Sequence, residues 1–505
     1  MPQGILPFKY EEEKRSGGMT GLAGLPTYLE LSYILGLSDA IDEHVRVRDG
    51  DQGFTDREMV MSLILLNLAG GSSVEDLRIL EGDEGLCRVI DRVKTHGMGR
   101  KERRALELRW RRQRKRTMAS ASAVFRYLGS FHDSGQEEQR RPGKAFIPVP
   151  NEHLRGLVRL NGNFVAQVQK RAPQSCATLD MDATLVESAK QEALYCYKGF
   201  KGYQPLNTYW FEQDLVLHSE FRDGNVPAGF EQLRVFKEAL DLVPSGVEEV
   251  FLRSDTAAYQ HDLLTYCAEG TNRRFGVIEF AIGVDVTPEF KKAVSEVGAS
   301  DWHRLRRNVK GELVETGQEY AEVCFVPSGL SRKKDGPEYR YVAIREALSQ
   351  PDLPGIDLQR ELPFPTMNVG PTRYKITGIV TNRGIPADEL IWWYRQRCGK
   401  SEEVHAVMKE DLAGGTLPSG KFGANAAWWQ IMILAFNLNS AMKHVVLGGD
   451  WVNRRLKAIR FWLIDLPGRV VEHARELVIR LVGGHPSNET LRYARTRMVS
   501  LYDTG

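Results

Sequence analysis

Residues 391–409 read IWWYRQRCGKSEEVHAVMK, a stretch that combines aromatic, basic and acidic residues. On a helix at about 100° per residue, one side carries Tyr394, Glu402, His405 and Lys409. Glu403 lies about a quarter-turn from Glu402. A carboxylate and a lysine about two turns apart suit a face that binds an anionic substrate. A surface helix with salt bridges is the simpler explanation of this stretch alone. Whether it is instead part of a functional site depends on carboxylates contributed by other parts of the chain.

The composition indicates a globular, multidomain protein. At 505 residues, with 42% hydrophobic and 27% charged residues, the chain is long enough for two to four domains. Its six cysteines form no CxxC pair, which argues against a thiolate zinc site and is typical of a reducing cytoplasm. The sequence has no apolar run of about 18 residues and no signal-peptide pattern, so we expect a cytoplasmic protein that does not span a membrane.

Positive charge is concentrated in residues 92–116. Twelve lysines and arginines oppose Glu102 and Glu107, which gives this segment a local net charge of +10. Such a density favours contact with a polyanion, although a solvated basic linker is the alternative. The preceding amphipathic helices fit a DNA-binding helical domain and a plain helical bundle equally well. Thr55 and Glu58 predict a capping box at the start of one of these helices.

The hydrophobic patterns divide the chain into four regions. A helical, basic region is followed by alternating strands and helices, whose strands are first antiparallel and then joined by helical crossovers. A β-rich insertion comes next. One long helix, over ADELIWWYRQRCGKSEEVHAVMKEDLAGG, and further helices as far as Leu501 complete the chain. The predicted boundaries are 1–140, 145–299, 300–385 and 386–505.

Acidic residues follow two of the predicted strands. CATLDMDATL carries Asp180 and Asp182, and VEEVFLRSDTAAY carries Asp255. Asp180 and Asp182 point to the same side of their strand because they are two residues apart, so either could bind a metal ion. Carboxylate oxygens are preferred ligands of Mg²⁺, and two such ions about 4 Å apart can support phosphoryl transfer. Together with the basic segment, these residues favour chemistry on a nucleic acid.

The order of these motifs resembles that of a known family. LDMDAT, FLRSDTAAY and YRQR…EEVHAVMK, with the blocks YKGFKGYQPL and NAAWWQIMILAFNLN, resemble the DDE transposases of bacterial insertion sequences. The resemblance is closest to DDE group 1, insertion-sequence family 1380, and covers most of residues 20–460. It implies an α/β, RNase H-like catalytic core with a β-rich insertion, preceded by a helical N-terminal domain and followed by C-terminal helices.

The resemblance also implies a reaction and a set of site residues. The reaction is metal-dependent cleavage at the terminal inverted repeats, followed by strand transfer into target DNA. The catalytic and metal-binding residues would be Asp182, Asp255 and Glu402, with two Mg²⁺ or Mn²⁺ ions. The family signature Tyr-x2-Arg-x3-Glu-x6-Lys fits imperfectly, because four residues separate Arg397 from Glu402. Glu403 therefore remains an alternative third acid, and Asp180 an alternative first acid.

DNA contacts and partners follow from the same resemblance. The partners would be double-stranded transposon ends and target DNA, bound by a homodimer or larger assembly because two ends must meet. The protein would act in the bacterial cytoplasm, associated with the nucleoid. The alternatives are another RNase H-like nuclease and a non-catalytic DNA-binding protein derived from a transposase. The residues expected to contact DNA are Tyr394, Arg397, Lys409, Arg111, Arg112, Arg114 and Arg116.

Three further positions have a functional and a structural interpretation. His405, one turn from Glu402, could reach the metal site or be a structural hydrogen-bond partner. Trp302 could wedge into a distorted DNA end or pack in the interior. In the Gly-rich stretch after the first strand, Lys198, Lys201 and Tyr203 could contact the DNA backbone or simply belong to a tight turn.

Overall fold

The structure is a computed structural model of the chain. It describes residues 17–48, 50, 52–110, 116–327, 339–348, 364–474 and 476–503.

Short helices make up most of the N-terminal part. Thr55 caps the third of them: its hydroxyl accepts a hydrogen bond from the Glu58 amide at 3.2 Å, and the Glu58 carboxylate accepts one from the Thr55 amide at 2.9 Å. The predicted capping box is therefore present. The elements are β1 (Met19–Thr20), α1 (Pro26–Ile34), α2 (Leu37–His44), α3 (Asp56–Leu68), α4 (Leu77–Gly82), α5 (Glu84–Lys94), α6 (Arg100–Leu108) and α7 (Ala121–Gly129).

A mixed sheet with helical crossovers follows. Its strand order β7-β6-β2-β8-β9 contains an antiparallel part, β7-β6-β2, and a parallel part, β2-β8-β9. This order is that of an RNase H-like core and confirms the predicted fold class. The elements are α8 (Glu152–Arg171), β2 (Cys176–Ala183), β3 (Val186–Glu187), β4 (Leu194–Tyr195), β5 (Lys201–Tyr203), β6 (Leu206–Trp210), β7 (Leu215–Glu220), α9 (Gln232–Asp241), β8 (Glu249–Ser254), α10 (His261–Ala268), β9 (Glu279–Gly283) and α11 (Pro288–Ser295).

The β-rich insertion extends this sheet. Its last strand, β14, pairs antiparallel with β9, and β12, β11 and β10 continue the sheet beyond β14. The insertion therefore shares backbone hydrogen bonds with the core. Its strands are β10 (His303–Val309), β11 (Glu312–Val323), β12 (Arg340–Ala347), β13 (Thr366–Val369) and β14 (Thr372–Thr381).

The long helix predicted after the insertion is interrupted. It consists of α12 (Ala387–Arg395) and α13 (Lys400–Ala406), followed by a π-helical turn over Val407–Asp411. Gly399 separates the helices with φ +80°, a conformation that favours glycine. The prediction of one continuous helix was wrong because this break falls within a strongly helix-forming sequence. The segment between Arg397 and Glu402, which is one residue longer than in the family signature, contains this break.

Helix α14 (Phe422–Ala441) packs the helical and α/β parts together, and all twenty of its residues are buried. Its polar residues are satisfied internally, as burial requires. The Asn437 amide donates to Asn161 Oδ1 at 2.8 Å and to Val216 O at 2.9 Å, and its oxygen accepts from the Val216 amide at 2.8 Å. Within the described residues, none of the helices has the length and apolar character needed to cross a membrane.

The C-terminal part contains a β-hairpin that the sequence analysis took for helix. β15 (Gly468–His473) pairs with β16 (Glu476–Leu481) and with β1. Half-buried Leu477, Ile479 and Leu481 alternate with exposed residues, which is the period of a strand. The prediction of helices up to Leu501 was therefore wrong over this segment. The remaining helices are α15 (Leu456–Ile459) and α16 (Ser487–Asp503).

The close approach of α14 to the end of α7 predicts a destabilising variant. A Cβ atom on Gly423 would lie 2.1 Å from the Phe131 carbonyl oxygen. Gly423→Ala should therefore lower the free energy of unfolding by about 1–3 kcal/mol, measured by urea denaturation. At Gly21 a Cβ atom would meet nothing within 4 Å, so Gly21→Ala is the control and should change stability by less than about 0.5 kcal/mol. Equal stability of the two variants would contradict the packing.

Candidate catalytic site

Asp182 lies near the carboxyl end of β2, and Asp255 directly follows the neighbouring strand β8. β2 and β8 are parallel, and Met181 pairs with Ser254. The residue after each member of this pair is an aspartate, Asp182 on β2 and Asp255 just beyond β8. Asp255 Oδ1 accepts a hydrogen bond from the Ala257 amide at 3.0 Å, which fixes the turn after β8. The structure thus brings the first two predicted acids together at the carboxyl ends of neighbouring strands.

The ionisation of Asp182 reflects its surroundings. Its side chain is 21% exposed, and Arg397 Nη2 lies 3.5 Å from its Oδ2 atom. Burial and the negative charge of Asp255 raise the pKa of Asp182 to about 6, although the positive charge of Arg397 opposes this shift. Two mutually repelling carboxylates at the ends of neighbouring strands are an arrangement that a hard cation stabilises.

Asp180 has a different partner and a different environment. It is buried, and both of its oxygens bind Arg253: Nε to Oδ1 at 2.6 Å and Nη2 to Oδ2 at 2.9 Å. Arg253 Nη1 also donates to the Trp393 carbonyl at 2.7 Å and to Gln396 Oε1 at 3.2 Å. Asp180 therefore belongs to an internal ion pair that joins two strands to α12.

Tyr394 and Arg397 lie beside the two aspartates. A Cβ atom on Gly283, at the end of β9, would be 3.0 Å from the Tyr394 hydroxyl. Burial raises the pKa of Tyr394 to about 12, and Arg397 partly offsets this effect. Arg397 is itself buried, and its Nε has no hydrogen-bond partner among the described residues. A buried donor without a partner is costly, and a phosphate oxygen would satisfy it.

Glu402 and Glu403 lie on different sides of α13. Glu402 is exposed and precedes His405 by three residues, so the two share one face of the helix. His405 Nδ1 is 4.0 Å from Asp182 Oδ2. Glu403 lies 4.0 Å from Lys400 Nζ and lines a small cavity with Asp214. Among the described residues, no group of three or more acidic, histidine or cysteine side chains is arranged to hold a metal ion, so Glu402 does not complete such a group.

An ion-pair cluster fixes the start of α13. Lys400 Nζ, at the first position of this helix, lies 2.9 Å from Asp214 Oδ1. The same carboxylate binds Lys443 Nζ at 2.7 Å and lies 3.2 Å from His444 Nε2, and it accepts a hydrogen bond from the Tyr209 hydroxyl. These contacts anchor the amino end of α13 to the β6–β7 turn and to the end of α14.

A chain of hydrogen bonds leads from α14 to His405, whose Nδ1 lies 4.0 Å from Asp182 Oδ2. Trp429 Nε1 donates to Ser219 Oγ at 2.9 Å, Ser219 Oγ donates to Asn207 Oδ1 at 2.7 Å, and Asn207 Nδ2 lies 3.3 Å from His405 Nε2. Because Trp Nε1 can only donate, this order makes His405 Nε2 an acceptor and leaves the proton on Nδ1, towards Asp182. Burial and the positive charges of Lys409 and Arg397 lower the pKa of His405 to about 3, so the ring is neutral.

Four residues near this site were not among the site residues predicted from the sequence. Asn207 and Ser219 lie outside the quoted motifs, and Trp429 lies in the block NAAWWQIMILAFNLN, which does not indicate its role, since all three act through contacts between distant segments. Asp285 follows β9, and burial and the charge of Asp255 raise its pKa. It could have been found by the same rule that identified Asp255, because it also follows an apolar strand.

The other predicted residues lie in several places. Lys409 Nζ donates to the Leu185 carbonyl at 3.3 Å, just beyond the end of β2. Arg116 lies beside Glu81 and donates to the Met118 carbonyl, in the helical N-terminal part. Trp302 is buried, with the Arg345 guanidinium 3.9 Å from its ring, which fits a packing role. Arg111, Arg112 and Arg114 lie outside the described residues.

The fold and the paired aspartates at the strand ends define an RNase H-like protein. The chain matches the family "Transposase DDE domain group 1" over residues 12–345 and 362–502, and it belongs to that family. Among solved structures it is similar to a cryo-EM structure of the piggyBac transposase synaptic complex with hairpin DNA. The two are 13% identical, the match covers 88% of this chain and 79% of that chain, and the TM-score is 0.41. No curated protein matches the chain significantly.

The raised pKa of Asp182 predicts a pH-dependent stability. The folded-state pKa of about 6 lies above the ordinary value of 3.8, so ionised Asp182 destabilises the fold as pH rises through this range. Without divalent metal, Asp182→Asn should be more stable than the wild type by about 2–3 kcal/mol at pH 7.5, and this gain should fall to about 1 kcal/mol near pH 4.5. Urea denaturation at both pH values measures the difference.

The matched control for this experiment is Glu403→Gln. Glu403 is exposed, so solvent screens its carboxylate, and its replacement should have a small effect that is similar at both pH values. A stability gain for Asp182→Asn that does not depend on pH would contradict the assigned ionisation.

Proposed function

We propose that this protein is a DNA transposase that binds the terminal inverted repeats of its element, cleaves DNA strands there and transfers them into target DNA. The observation that carries this proposal is the placement of Asp182 and Asp255 at adjacent strand ends beside Arg397. Membership of the DDE group 1 family supports the same reaction.

The residues at these strand ends fit divalent metal ions. Asp182 and Asp255 are oxygen donors whose mutual repulsion contributes to the raised pKa of Asp182. They would hold Mg²⁺ or Mn²⁺, two ions in total, with Glu402 as the third acid. Ions of this kind supply activation of the attacking water or 3′-hydroxyl and stabilisation of the leaving oxygen. Glu402 would have to approach the aspartates from the exposed face of α13 when DNA binds.

The position of His405 favours Glu402 over Glu403 as the third acid. His405 faces Asp182, and Glu402 shares its face of α13, whereas Glu403 lies towards Lys400 and Asp214. Asp182 is favoured over Asp180 for a similar reason, because both oxygens of Asp180 bind Arg253. A metal ion at Asp180 would have to displace a buried ion pair, which is costly.

The remaining site residues would act on the DNA. The unsatisfied Nε of Arg397 would donate to a phosphate oxygen near the cleaved bond, and Lys409 would neutralise a neighbouring phosphate. Tyr394 would support the DNA end. The neutral His405 ring would hold its Nδ1 proton towards Asp182 and so help to orient that carboxylate.

Binding of the transposon end would involve the basic N-terminal segment. Helix α6 has no buried residue, so its basic side chains are available to phosphates. We propose that Arg111, Arg112, Arg114 and Arg116 also contact DNA phosphates. A homodimer or larger assembly would bring the two transposon ends together.

Cleavage of the element's own ends tests the proposed reaction. Asp255→Asn should lower the rate of strand cleavage with Mg²⁺ or Mn²⁺ by about three orders of magnitude, or about 4 kcal/mol of transition-state stabilisation. The asparagine oxygen can still accept the Ala257 hydrogen bond, so folding and end binding should be nearly unchanged. Cleavage on radiolabelled inverted-repeat duplexes and binding by gel shift are the two measurements.

Glu402→Gln and Glu403→Gln are the matched pair for this experiment. The first should lose cleavage as Asp255→Asn does, and the second should cut at nearly the wild-type rate. Normal cutting by Asp255→Asn would mean that the assigned site is wrong. A wild type that binds the ends but never cuts them would favour a non-catalytic DNA-binding protein.

The salt dependence of binding tests the role of α6. Each phosphate contact contributes about 0.9 to the slope of log affinity against log salt. Replacing the four basic residues Arg100, Lys101, Arg103 and Arg104 with glutamine should therefore reduce this slope by up to about 3.5. The control replaces four exposed arginines of the C-terminal part with glutamine: Arg480, Arg492, Arg495 and Arg497. An unchanged slope in the α6 variant would exclude α6 from the interface.

A further inference from the structure

A small three-stranded sheet is formed by the part of the sequence that connects β2 to β6, the first two strands of the catalytic core. It has the order β3-β5-β4 and spans residues 186–203, and we call it the flap sheet. Its tip presents two tyrosines to solvent: Tyr195 is 63% exposed and Tyr197 is 76% exposed. Lys198 and Lys201 lie beside them, each with its Nζ 5.8 Å from the centre of a tyrosine ring.

The base of the flap sheet is held firmly against the core. Tyr203 is buried and stacks on Phe221, with ring centres 4.9 Å apart, and its hydroxyl accepts a hydrogen bond from Asn425 Nδ2 at 3.3 Å. A Cβ atom on Gly202 would lie 2.3 Å from the Val186 carbonyl oxygen, so these strands approach too closely for any larger residue. The tip therefore projects from a fixed base.

The flap sheet begins close to the candidate catalytic site. Strand β3 begins three residues after the end of β2, and the intervening Leu185 carbonyl accepts the hydrogen bond from Lys409. Burial lowers the pKa of Lys409, and the positive charge of Lys198 lowers it further. The two amino groups are thus close enough to repel each other, and an anion between them would relieve that repulsion.

The combination of exposed aromatic rings and lysines fits one kind of ligand. Single-stranded DNA stacks its bases on aromatic side chains while lysines neutralise its phosphates. In a duplex the faces of the bases are covered by neighbouring bases, so the two tyrosines could not stack on them. Unpaired nucleotides are expected where strands are cut and separated, which is the reaction proposed for the adjacent aspartates.

We propose that the tip of the flap sheet binds unpaired nucleotides next to the cleaved bond. Tyr195 and Tyr197 stack on bases, and Lys198 binds a phosphate together with Lys409. This role rests on the proposed transposase function and adds to it the DNA structure that the site recognises.

Binding of two DNA probes by the full-length protein tests this role. Both probes contain the element's end as a duplex, and one carries a single-stranded overhang of about five nucleotides with 2-aminopurine. Tyr197→Ala should weaken binding of the overhang probe about tenfold, remove the quenching of 2-aminopurine fluorescence and leave binding of the blunt probe nearly unchanged. Tyr197→Phe should retain binding and quenching, because stacking needs only the ring.

Tyr493→Ala is the matched control, because Tyr493 is 55% exposed on α16. It should bind both probes as the wild type does. Equal binding of both probes by the wild type and Tyr197→Ala would overturn the role of the flap sheet while leaving the proposed transposase intact. A changed oligomeric state of Tyr197→Ala with unchanged DNA binding would also overturn it, since the tip would then be a contact between copies. Failure of the wild type to bind either probe would instead contradict the proposed function.

Discussion

The buried ion pair between Asp180 and Arg253 is the interaction on which the site depends. It joins β2 to β8, and the third donor of the same guanidinium holds the end of α12 through Trp393 and Gln396. The guanidinium also lies 4.5 Å from the centre of the Phe211 ring. Removing one partner of such a pair typically costs about 3–5 kcal/mol, because a buried charge is left alone. This ion pair therefore links the two strands that lead to Asp182 and Asp255 with the helix that precedes α13, on which Glu402 lies.

The geometry of the site follows from this arrangement. Because both oxygens of Asp180 bind Arg253, Asp182 is the acid of β2 that remains partly exposed to solvent. The parallel pairing of β2 with β8 places Asp255 beside it. Beyond α12, the break at Gly399 redirects the chain so that His405 faces Asp182. The hydrogen bonds that end on His405 begin in α14, so the most buried helix of the protein is connected to the site.

The fold class and the positions of Asp182 and Asp255 could be predicted from the sequence, because they depend on local patterns. An apolar run that ends in an acid marks β2 and β8, and alternating strands and helices indicate the RNase H-like core. The role of Asp180 could not be predicted, since its partner is 73 residues away and only the strand order brings them together. The break at Gly399 and the hairpin of β15 and β16 were missed because both lie in segments whose composition also suits helix. The hydrogen bonds from Trp429 to His405 join residues of four elements and leave no motif.

Anomalous diffraction from crystals of the protein with transposon-end DNA and Mn²⁺ tests most directly which acids bind the metal ions. We expect Mn²⁺ peaks between Asp182 and Asp255, with Glu402 as a further ligand and the ion pair of Asp180 with Arg253 intact. Mn²⁺ bound to Asp180, with Arg253 displaced from it, would contradict the central claim.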